Sequence, residues 1–145
     1  METAQPKTKI TISTTIKRHL NEVWHHFTHP ESIQQWNHAS DNWHCPAAKI
    51  ELADGGHFCY TMAAKDGSMQ FYHEGLFTEV TPRKRLKYET TDGRKVSVYF
   101  QETNKHTTVV ESFETDSLNP PEVQQQGWQA ILDSFKRFME ETTAS

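Results

Sequence analysis

The polar and apolar positions of this chain change period along its length. Residues 8–18, TKITISTTIKR, alternate: Ile10, Ile12 and Ile16 share one face with Thr14, and Ser13 and threonines fill the other. Period two over that length predicts a half-buried strand. In the next stretch, HLNEVWHHFTHPESIQQWN, Leu20, Val23, Trp24 and Phe27 fall at helical spacing, and His19 or Asn21 stands where a cap is needed. Pro30 ends that helix and opens a second, which carries Ile33 and Trp36. Two short helices are therefore expected over about 20–37.

From residue 48 the pattern is strand, turn, strand. AKIELA runs into Asp54-Gly55-Gly56, and HFCYTMAAK into Asp66-Gly67. MQFYHEGLFTEV stops before Pro82, RLKYET closes at Asp92-Gly93, and RKVSVYFQET closes at Asn104-Lys105. HTTVVESFET is the last segment of this kind. Six consecutive strands with short turns predict an antiparallel meander.

Asn119-Pro120-Pro121-Glu122 then has the chemistry of a helix start, with asparagine as N-cap, proline in the first turn and glutamate three residues after the cap. Trp128, Ile131, Leu132, Phe135, Phe138 and Met139 form one apolar stripe on a helix of about 120–142. Gly127, beside Trp128, is costly inside a helix. Its missing side chain is expected to let the helix backbone approach a strand or the helix-pair loop closely. The whole order is β-α-α-β6-α. It predicts an α+β fold in which a curved seven-stranded antiparallel sheet wraps around the long C-terminal helix, with the short helices closing one end.

At 145 residues the chain reads as a single domain, residues 1–145, with 1–7 a disordered tail. The net charge is −4 with neutral histidines, and the densest basic cluster, TPRKRLK, is short. Nucleic acid is a poor partner for such a surface. No apolar run approaches the roughly 20 residues of a membrane span. The first ten residues hold no hydrophobic signal region, so a cytoplasmic protein is expected. Cys45 and Cys59 then read as reduced thiols.

Several segments together resemble one known family. EVWHHFTHPESIQQW resembles its helix pair, and IELADGGHFCYTMAAKDG its glycine-glycine hairpin. HEGLFTEVTPRKRLKYE resembles its strand-Pro-x-x-x-Leu turn. TTVVESF and QGWQAILDSFKRFME resemble its final strand and helix. The chain resembles the birch-pollen-allergen-like, START-related (SRPBCC) superfamily with its helix-grip fold. Within it, the likeness is to the small single-domain bacterial homologues of activators of the heat-shock-protein-90 ATPase. The turn before the last strand usually carries glycine in that family; here Asn104 stands there, a residue that tolerates φ > 0. The resemblance implies a cavity between sheet and helix for an apolar or amphipathic small molecule, and it implies no single reaction.

Candidate cavity residues are Trp36 and Trp43 near the helix-pair end, and Phe58, Tyr60 and Met62 on one strand face. Phe71, His73, Tyr88 and Tyr99 are further candidates, and the last helix offers Trp128, Ile131, Leu132 and Phe135. The same side chains would also serve as a filled core. A one-residue slip in register would exchange every strand residue for its neighbour. In His73-Glu74 and in Glu111-Ser112, only one residue of each pair faces inward. Charged residues are rarely buried unpaired, which favours the solvent face for Glu74 and Glu111.

Nine histidines include His25 and His29 at i, i+4, with His38, His44 and Cys45 nearby. Their spacing matches no recognised zinc site, so no metal and no cofactor is expected. No Ser-His-Asp spacing, nucleophile elbow, phosphate loop or dinucleotide fingerprint is present, so no catalytic residue is assigned. The expected function is binding of a hydrophobic or amphipathic small molecule, such as a lipid or a polyketide-like aromatic. The alternatives are a chaperone partner, through regulation of the heat-shock-protein-90 ATPase, and a cyclase- or hydratase-type enzyme using His73, Glu111 or a cavity tyrosine.

Overall fold

A computed structural model describes residues 8–141; the proposed tail, residues 1–7, lies outside them. β1 (Lys9–Ile16) is followed by α1 (Leu20–Thr28) and α2 (Pro30–Trp36). The meander then runs β2 (Trp43–Ile50), β3 (His57–Ala64), β4 (Gln70–Thr81), β5 (Arg85–Thr90), β6 (Lys95–Thr103) and β7 (His106–Glu114), before α3 (Pro121–Glu141). The seven strands form one antiparallel sheet in the order β1-β7-β6-β5-β4-β3-β2. The sheet curls around α3 as a half-barrel, and the α+β helix-grip architecture expected from the pattern is what the chain adopts.

The core lies between the concave face and the helices. Alternation sets that face: Val96, Val98 and Phe100 of β6 are buried, as are Thr107, Val109, Glu111 and Phe113 of β7. β1 contributes Ile12 and Ile16, and α3 contributes Leu132, Phe135 and Met139. Trp36 of α2 packs edge-on against Phe135 at 4.7 Å, and its carbonyl accepts a 2.8 Å hydrogen bond from the Ser134 hydroxyl. These contacts fasten the helix pair to α3.

Four local expectations are corrected. β2 begins at Trp43 and ends at Ile50, a shift of the expected strand toward the N-terminus. It absorbs Pro46 at a bulge between His44 and Ala47, where the register leaves it without a paired residue on β3, as a sheet-edge strand tolerates. Asn119 is not the cap of α3. The Pro120 carbonyl accepts from the Gln124 amide, while the Gln124 side chain ties Asp116 and Asn119 to the helix start. Tyr99 points outward, 40% exposed, because its neighbours in β6 take the inward positions. Gly127 makes no close approach, since a methyl group added there would meet nothing within 4 Å.

The turn between β6 and β7 places both Asn104 (φ 52°) and Lys105 (φ 67°) in the left-handed region. Asparagine carries that conformation easily; lysine does so under strain.

Candidate functional site

A cavity of about 210 Å³ opens between the sheet and the N-terminal half of α3. Its floor is β3, β4 and β5. Phe58, Tyr60 and Met62 project from β3, His73 and Phe77 from β4, and Leu86 and Tyr88 from β5. Trp128 and Ile131 cover it from α3, and Trp36 and Phe27 close it from the helix pair. Phe71, 52% exposed, sits at the rim.

Rings hold the wall in place. Phe58 meets Tyr88 edge-on at 4.8 Å and lies within 5.6 Å of His73. Trp128 stacks on Phe113 at 4.1 Å with planes 7° apart, and meets His73 edge-on at 5.8 Å. Such pairs fix ring orientation beyond plain area burial.

Polar groups are few. The Tyr88 hydroxyl lies 3.4 Å from His73 Nε2. Arg94, just before β6, is held by Asp92 at 2.9 Å and reaches Asp116 at 4.0 Å. Glu111, 8% exposed, is central on β7, between Ile12 of β1 and Val98 of β6. The expectation that Glu111 faces solvent is therefore overturned: alternation with Val109 and Phe113 turns it inward, and Ser112 takes the outer face, bonded to Thr11 at 2.9 Å. Glu74 is the outward member of its pair, beside Cys59 on the neighbouring strand.

Electrostatics follow from burial. Desolvation pushes the Glu111 carboxyl up to about 8. It pulls His73 down to about 4, helped by the positive charge of Arg94 and opposed by Asp92. Burial also raises the phenols of Tyr60 and Tyr88, the latter further through Glu111. At neutral pH the wall is thus a neutral imidazole, a protonated carboxyl and two phenols. Arg94 is its one cation, already matched by carboxylates.

Of the candidate residues, Trp36, Phe58, Tyr60, Met62, Phe71, His73, Tyr88, Trp128 and Ile131 come together around the cavity. Four do not. Tyr99 is on the outer face, and Trp43 stands behind Phe71 at 5.7 Å. Leu132 and Phe135 belong to the filled core deeper along α3. Phe27, Asn37, Phe77 and Arg94 line the cavity without having been singled out. Strand parity with His73 carries the signal for Phe77; nothing in the sequence marks Arg94, which follows a turn. No group of three or more potential metal ligands exists among the described residues.

The model of the family described as "Activator of Hsp90 ATPase homolog 1-like protein" matches residues 17–140. The chain belongs to that family. The solution structure of an AHSA1-like protein from Aeromonas hydrophila is 42% identical over 92% of this chain and 93% of that one, with a TM-score of 0.88. A Cytophaga hutchinsonii protein is 45% identical, covering 92% of each chain, with a TM-score of 0.80. A Nitrosomonas europaea protein at 19% identity, covering 94% and 97%, shares the fold at a TM-score of 0.80. No curated protein matches the sequence. The fold is thus kept at low identity. No helix among the described residues is long and apolar enough to cross a membrane.

Proposed function

We propose that this AHSA1-like chain binds a small hydrophobic or amphipathic molecule in the cavity between the sheet and α3. The observation that carries the reading is the composition of that cavity. It is an aromatic and aliphatic enclosure with a few convergent polar groups, which is the usual chemistry of a ligand site. At about 210 Å³ it falls below the roughly 300–1,000 Å³ of drug-sized sites. A compact ligand, such as a one- or two-ring aromatic or a short acyl chain, suits it better than a whole lipid. Native mass spectrometry of protein purified from its own host tests the reading, together with NMR titration against aromatic and acyl libraries. Co-purified mass and shifts confined to the cavity residues are expected. Absence of both overturns it.

Family membership over residues 17–140 supports a second reading, regulation of the Hsp90 ATPase. Adding the chain to its host's Hsp90 and finding an unchanged ATPase rate overturns that one. A cavity enzyme would draw on Glu111 and the His73–Tyr88 contact.

A further inference from the structure

Glu111 is the one carboxyl among the residues that line the cavity. Its side chain forms no hydrogen bond or ion pair with the described residues, and burial alone accounts for its shifted titration. Among those residues every fully enclosed side-chain nitrogen or oxygen has a partner, so the Glu111 oxygens open on the cavity. A carboxyl kept inside an apolar chamber without a partner is costly, and a ligand that completes it removes the cost.

The surroundings select the ligand's charge. The titratable groups that line the cavity with Glu111 are Tyr60 from β3, His73 from β4, Tyr88 from β5 and Arg94 just before β6; α3 presents Trp128 and Ile131. The single cation, Arg94, is shared between Asp92 and Asp116. An anionic ligand would find the one guanidinium of the wall already paired with Asp92 and Asp116, and would also meet the Glu111 carboxyl. A cation meets that carboxyl and the faces of aromatic rings, both attractive.

Resting on the cavity-binding reading above, we propose that the ligand is a small apolar amine, its ammonium seated on the Glu111 carboxylate and its body between Phe58, Tyr88 and Trp128. The proton balance is definite. The empty site holds Glu111 as the acid, and the amine arrives as ammonium. The ion pair that forms leaves one proton to be released to solvent.

The test is calorimetry at pH 7, in two buffers of different ionisation enthalpy, with NMR mapping of shifts. The probes are 2-naphthylmethylamine, 2-naphthalenemethanol and 2-naphthoate. The amine is expected to bind at least about tenfold tighter than the alcohol, with close to one proton released. In Glu111→Gln the ratio of amine to alcohol affinity should fall to about one, and the proton release should vanish. Equal affinities, a preference for naphthoate, or amine binding without proton release would overturn the amine assignment and leave the cavity reading standing. If none of the three binds, or all shifts lie outside the cavity, both fall together. Should Glu111→Gln fail to fold, the proton release of the unmodified protein still decides the matter.

Discussion

Glu111 couples the cavity to pH. Its carboxyl titrates at about 8, against an ordinary value of 4.5. The folded state therefore binds more protons than the unfolded state between those limits, and stability falls as pH rises through the window. Glu111→Gln removes the titration. The variant should match the parent near pH 5 and melt roughly 5 °C higher at pH 8.5, read by circular dichroism. His73 works in the other direction. With its pKa lowered from 6.5 to about 4, its contribution is present above 6.5 and lost as pH falls through 4. Gly127 gives a second residue-scale prediction. Open space at its missing side chain means Gly127→Ala should stabilise α3 by about 0.5–1 kcal/mol in chemical denaturation. A loss of stability would restore the close-approach explanation. The parity of β7 contained the inward position of Glu111, since Val109 and Phe113 flank it at even spacing. The preference of charge for water points the other way and is the weaker of the two. Tyr99 fails for the complementary reason: an aromatic ring suggests a cavity, whereas its parity with Val98 and Phe100 places it outside.

At the scale of elements, each unit of regular structure rests on one or two local devices. Lys105, at φ 67°, strains the β6–β7 turn, so Lys105→Gly should raise stability by about 1 kcal/mol and leave the sheet register intact, checked by denaturant midpoint and amide shifts. Trp128 joins α3 to two strands through Phe113 and His73. Trp128→Ala should cost roughly 3 kcal/mol and speed hydrogen exchange in the first turns of α3. A change below about 1 kcal/mol would remove Trp128 from the elements that hold the helix. Elements with strong periodicity or Asp-Gly punctuation were legible in the sequence, because sheet and helix burial each impose one period. The edge strand β2 was less so: WHCPA neither alternates nor avoids proline, and only its pairing with β3 makes it a strand. The start of α3 was legible in kind but displaced, because Gln124 reaches back to tie down the helix start in place of the Asn119 side chain.

Across the whole molecule, sheet, helix pair and α3 enclose one volume, so filling it stabilises the fold globally. A ligand at 100 times its dissociation constant contributes about 2.7 kcal/mol. A thermal-shift assay should then show a rise of roughly 5–10 °C, and the gain should disappear in Trp128→Ala if that ring covers the ligand. The cavity's existence was legible from family resemblance together with aromatic content. Its cation was not, because Arg94 follows a turn and arrives there through sheet closure. That closure has a further consequence. β1 is made before the six strands of the meander and pairs only with β7, across about 100 residues, as in the Thr11–Ser112 hydrogen bond. At synthesis rates of roughly 5–20 residues per second, the nascent isoleucine strand waits about 5–20 s on the ribosome before its partner emerges. During that interval Ile10, Ile12 and Ile16 present an unpaired, aggregation-prone segment. The last step of sheet assembly brings the two ends of the meander together, and a nascent chain stalled before residue 106 has a cavity floor but no strand on which to close it.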